Sequence, residues 1–180
     1  MKQADLFKKK TSNLENSIAD IENAMKISKK QKQEISSDEF RFSSQEDDFV
    51  ENFIEKYNEL ADSSTPYKIE SFYRNYNVIA FGCSNWAKRI SNLYQPPVFE
   101  STDKGSYWAV RVKFDIFAVV PKLNLHYEYM VHKGAGMQEV FVSNFKKEEF
   151  SHIAVKKAAF FKFENNKWHL LKQGQIELYN

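Results

Sequence analysis

Four residues are spaced so that they could share acid–base chemistry: Asp115, His126, Tyr127 and His132. A carboxylate, an imidazole and a phenol gathered in an apolar cavity make a general acid–base site, in which burial can raise the carboxylate's pKa towards neutrality. They fall on neighbouring stretches of alternating hydropathy, where the even separation of His126 and His132 puts both on one face of an extended strand. Asn124 and Glu128 would share that face, which is also how a solvent-facing row reads. The four are therefore a candidate pocket, and no residue is assigned as catalytic.

Other chemistries find less material. The single cysteine, Cys83, lies in Gly82-Cys83-Ser84 at an expected strand-to-helix junction, where a helix start could lower its pKa. A buried structural thiol is the competing expectation, and one cysteine excludes an internal disulfide or a CxxC zinc site. The four histidines (126, 132, 152 and 169) form neither HxH nor HExxH, and His126-x-Glu128 is the nearest local pair, so no metal and no cofactor is expected. Five glycines do not assemble a phosphate cradle. Tyr107, Trp108, Arg111, Lys113, Lys156, Lys157 and Lys162 would suit single-stranded nucleic acid if they lay on one open sheet. The same alternation describes a half-exposed strand.

These groups must be positioned by one domain with some chain left over, since 180 residues at 21.2 kDa suffice for a single core. Aromatics at 16%, with 16 Phe, 9 Tyr and 3 Trp, exclude a wholly disordered chain. No stretch approaches the apolar length of a membrane span and Met1–Asp5 leads into no signal core, so a soluble, cytoplasmic protein is expected. The net charge of +2 is uneven along the chain: residues 1–40 carry +1, 46–62 carry −6, and 63–180 carry +6. A solvated acidic helix face explains the middle block.

Phe7, Thr11, Leu14, Ile18, Ile21, Met25 and Ser28 step by alternate fours and threes, a heptad seam cleanest from Leu14 to Met25. A helix this short is marginal alone, so residues 1–36 read as a helical arm that needs a partner, with Leu14, Ile18, Ile21 and Met25 as its contact stripe. Residues 37–44 read as a linker, and 45–180 as the globular domain. That domain opens on a capping signal, Ser44-Gln45-Glu46-Asp47, and a stripe of Phe49, Phe53, Tyr57, Leu60 and Ala61. A second helix is expected over 67–76, a short strand over 77–81, and a third helix after Ser84 through Tyr94.

Beyond Pro97 the period changes to two. The alternation predicts one strand through Val110–Ala118, a turn at Val120-Pro121-Lys122, a strand over 123–131, another over 137–145, and a long one over 151–163. Asn165-Asn166 suits a tight turn before a strand at Trp168–Leu171, with 176–179 continuing after a bend at Gly174. Helices first and a meandering sheet afterwards predict an α+β domain, with helices packed on a curved antiparallel sheet.

This order, ending in Phe160-Phe161-Lys162-Phe163-Glu164-Asn165-Asn166-Lys167-Trp168-His169-Leu170-Leu171, resembles the nuclear transport factor 2-like superfamily of cone-shaped folds across residues 45–179. The resemblance implies a pocket in the cone, holding a carboxylate or His–Asp pair with a Tyr in catalytic members. It also implies pairing through sheets, and a non-catalytic secretion and conjugation branch that acts in assemblies. Abundant aromatics favour a filled cone, so the sequence points to a protein–protein interaction or assembly module, by default a homodimer. A small-molecule-binding enzyme is the alternative.

Overall fold

The structure, a computed structural model, describes residues 41–63, 65–91 and 95–180. The arm with Leu14, Ile18, Ile21 and Met25 lies outside the described residues, as does the first half of the linker, residues 37–40. The described residues from Ser43 onward belong to one compact unit, Ser43–Asn180. It is α+β, with helices packed against a largely antiparallel sheet.

Helix α1 spans Ser44–Asp62. Its cap is Ser43 and not Ser44, because the reciprocal box needs a hydroxyl three residues before Glu46: Glu46 N–H donates to Ser43 Oγ at 3.3 Å, and Ser43 N–H to Glu46 Oε2 at 2.8 Å. Val50, Phe53, Tyr57 and Leu60 form its buried stripe, and Phe49 lies at the border, partly exposed. Helix α2 (Pro66–Tyr76) starts with proline at its first position behind an extended Thr65 cap. Its Phe72 and Tyr76 pack on Phe53, with ring centroids 5.6 and 5.2 Å away. Helix α3 covers Trp86–Ser91.

Six strands close into an antiparallel barrel: β1 (Ile79–Cys83), β2 (Phe99–Ser101), β3 (Tyr107–Lys113), β4 (Ile116–Pro121), β7 (Ala159–Glu164) and β8 (Lys167–Lys172), in the order β1-β2-β8-β7-β4-β3. A smaller sheet has β9 (Gly174–Tyr179) between β5 (Phe141–Val142), which runs parallel to it, and β6 (His152–Lys157). The sheet expected to curve thus curves to closure. Each barrel strand sends one ring into a mutual cluster: Phe81, Phe99, Tyr107, Phe117, Phe161 and Trp168, all buried. Phe81 stacks on Trp168 at 4.4 Å and on Tyr107 at 5.1 Å, and meets Phe161 edge-on at 5.2 Å. The lumen is filled by aromatic side chains.

Several strand boundaries differ from the alternation. The stretch Val110–Ala118 is a hairpin whose turn falls at Phe114-Asp115, with a bulge between Arg111 and Lys113, while Pro121 stays paired with Tyr107 as the end of β4. No glycine or asparagine marks that turn, so hydropathy alternates straight through it. Residues 123–131 form no long strand: Asn124 turns at φ 58, Tyr127 makes an isolated bridge to Phe150, and α4 follows at Tyr129–Lys133. Met137–Val140 is a helical turn, α5, begun by Gly136 at φ 84. The long strand at 151–163 breaks at Ala158, where β6 joins the small sheet and β7 the barrel. Only glycine fits the crossing there: a Cβ on Gly174 would lie 2.5 Å from the Lys157 carbonyl oxygen. The Asn165-Asn166 turn forms as expected, both residues at positive φ.

Candidate functional site

The four candidate acid–base residues do not converge. Asp115 occupies the β3–β4 turn, where its carbonyl accepts from Phe163 N–H at 2.9 Å and its carboxylate faces Lys162 Nζ at 3.5 Å. His126 is exposed and pairs with Glu149 at 3.3 Å. Tyr127 and His132 do meet, because the turn into α4 winds His132 back over the Tyr127–Phe150 bridge: Tyr127 Oη and His132 Nδ1 are 2.8 Å apart. His132 stacks on Phe145 with ring centroids 4.1 Å apart. Burial pushes the imidazole below its usual pKa and the Tyr127 phenol well above its own, so a neutral phenol and a neutral imidazole share this hydrogen bond.

Cys83 is buried and donates its S–H to Asn85 Oδ1 at 3.1 Å. Burial raises the thiol's pKa, which opposes an activated thiolate. The basic and aromatic residues considered for single-stranded nucleic acid also separate. Tyr107 is in the barrel lumen, and Trp108 is buried under the helices against Tyr57 and Tyr73. Arg111 lies over Phe117, Lys156 pairs with Glu177, and Lys162 is shared by Asp115 and Glu164. Among the described residues no group of three or more His, Cys, Asp or Glu side chains is placed to hold a metal ion. No helix there is long and apolar enough to cross a membrane.

With the lumen filled, the concave surfaces lie outside the barrel. One cleft of about 610 Å³ lies between the β1 end, β2, the loop at Lys104–Ser106 and α4. Its floor is made by backbone packed on backbone: a Cβ on Gly105 would sit 1.9 Å from the Phe81 carbonyl oxygen, and one on Gly82 2.9 Å from Gly105 Cα. Trp86, 51% exposed, and Met130 stand at its apolar side. Glu100, Glu128 and Lys104 are its charged lining, with hydroxyls from Ser101, Thr102 and Ser106. Behind it, the fully buried Arg89 of α3 donates to the Lys133 carbonyl at 3.0 Å and to Glu139 Oε1 at 2.6 Å, fixing α3 beside the α4–α5 segment.

Four carboxylates among the described residues are half-buried, and three have partners: Glu46 accepts from Ser43, Asp115 faces Lys162, and Glu139 holds Arg89. Glu128, on the cleft wall, has none. A second groove of about 670 Å³ runs between α1 and α2, but of its charges Lys56 and Glu59 satisfy each other at 2.9 Å and Lys68 donates to the Ser63 carbonyl at 3.2 Å. Sequence reading missed this cleft because Trp86, Glu100 and Glu128 lie on three separate segments with no shared motif. Compared with protein families, with curated proteins and with solved structures, the chain has no match.

Proposed function

We propose that this chain is a non-catalytic protein–protein interaction or assembly module. The observation that carries the reading is the filled barrel: the space in which a cone-shaped enzyme would enclose its substrate holds six mutually packed rings. Binding then falls to outer surfaces, the cleft beside Trp86 on the globular domain and the Leu14, Ile18, Ile21 and Met25 stripe of the arm. Helices before strands, and the Asn165-Asn166 turn leading into Trp168, support extending the nuclear transport factor 2-like likeness to this domain. A cytoplasmic homodimer is the default arrangement in this reading.

Sedimentation of the full chain at micromolar concentration tests it. A dimer or larger species is expected, and Leu14→Glu with Ile18→Glu should shift it to monomer while leaving the thermal melting of the globular domain unchanged, because two charges in a heptad seam oppose its burial. A monomeric wild type that the double variant leaves unaltered overturns the reading. The Tyr127–His132 bond favours one alternative, a small-molecule enzyme using that pair, since it unites two of the four candidate residues.

A further inference from the structure

We propose that the cleft between β2 and α4 receives a basic side chain, lysine or arginine, presented by a partner protein; this deepens the interaction-module reading and rests on it. The first ground is Glu128. A half-buried carboxylate without a counter-ion has lost part of its hydration and gained nothing in exchange, whereas the other three half-buried carboxylates of the described residues each have a donor. A second carboxylate, Glu100, lines the same cleft from β2, and neither has an ion-pair partner among the described residues. With Lys104 the only basic group lining it, the cleft is net acidic.

The second ground is shape and apolar character. Trp86 and Met130 are large, apolar and well exposed at the side of the cleft, at 51% and 38%. A cation over an indole face gains from the ring quadrupole, and the aliphatic stem of lysine or arginine covers apolar surface while its head reaches a carboxylate. An acidic ligand would meet two carboxylates, and a purely apolar one would leave Glu128 without a counter-ion. The Gly82–Gly105 backbone packing and the Arg89 brace hold the walls before any ligand arrives, which limits the ordering cost of binding.

The test is a titration of the full chain, labelled with ¹⁵N, by a blocked pentapeptide carrying one central lysine, beside its norleucine and glutamate counterparts and free butylamine. The lysine peptide should shift amide signals at Gly82, Gly105 and Met130, and the other two peptides should not. Glu128→Gln and Trp86→Ala should each weaken binding roughly three- to tenfold. Glu55→Gln, on the acidic face of α1 and away from the cleft, should leave it unchanged. Equal weakening by Glu55→Gln means adhesion to the acidic helix and overturns the proposal, as does equal binding of the lysine and norleucine peptides. Butylamine binding as tightly as the peptide makes the site one for free amines and overturns the protein partner. Peptide binding in a chain that stays monomeric supports the cleft and removes the dimer; a dimer indifferent to the peptide does the reverse.

Discussion

His132 is held between Phe145 and Tyr127, and burial lowers its pKa from the usual 6.5. The unfolded chain therefore binds this proton at a pH where the folded chain does not. The contribution to stability is complete above about pH 6.5 and is lost as pH falls towards the folded value. Melting temperature should drop between pH 6.5 and 5, and His132→Gln should flatten that part of the profile; an unchanged slope would remove His132 as its source. Phe53 is a second test at this scale. It is fully buried between Phe72 and Tyr76, so Phe53→Ala should cost about 3–5 kcal/mol through the cavity it leaves. Thermal melting within a degree or two of wild type would show that the stripe is not core. The stripe was legible because helical periodicity is local, and Phe53, Tyr57 and Leu60 took the expected positions. The Tyr127–His132 contact was not, since it depends on an asparagine turn and a short helix where hydropathy alternates like a strand.

At the scale of elements, the small sheet closes its free backbone with asparagine. Asn58 of α1 donates to the Val155 carbonyl and accepts from Val155 N–H, both at 2.9 Å, as a neighbouring strand would. Asn144 does the same for Leu178, at 2.9 and 2.8 Å. These amides occupy positions on β6 and β9 where another chain's strand could add. Asn58→Ala should leave a backbone donor and acceptor of Val155 unpaired, costing about 1–3 kcal/mol, and should raise self-association. Size-exclusion chromatography with chemical unfolding checks both halves, and an equally stable, equally dispersed variant would show the amide to be incidental. Neither asparagine was identifiable from sequence, because each acts on a strand tens of residues away. Phe114 shows a related limit: it is 90% exposed at a hairpin tip, yet the alternation through Val110–Ala118 predicts a continuous strand there, and Asp115 is the lone turn-forming residue at the reversal.

Across the whole molecule, the division into helices first and sheet afterwards was readable, since each element type has its own period. Closure was not, because a barrel is defined by which distant strands meet. The decisive seam lies between β2 and β8, where the paired register is the single pair Phe99–Trp168, and the Trp168 indole supplements it by donating to Ser101 Oγ at 3.1 Å. The β7–β8 seam beside it and the β3–β4 seam across the ring run nearly the length of their strands. That inequality gives the ring a preferred point of opening. Hairpins such as β3–β4 and β7–β8 pay little loop entropy and can form early, whereas β2 must find β8 across almost seventy residues, so the ring closes there last and parts there first. Amide hydrogen exchange should be faster at Phe99–Ser101 than along β4, with Trp168→Phe, which deletes the indole donor, accelerating β2 selectively. Uniform protection around the ring would mean that the barrel opens only by global unfolding. The tryptophan that fills the lumen is thus also the latch on a cylinder that breathes along one line.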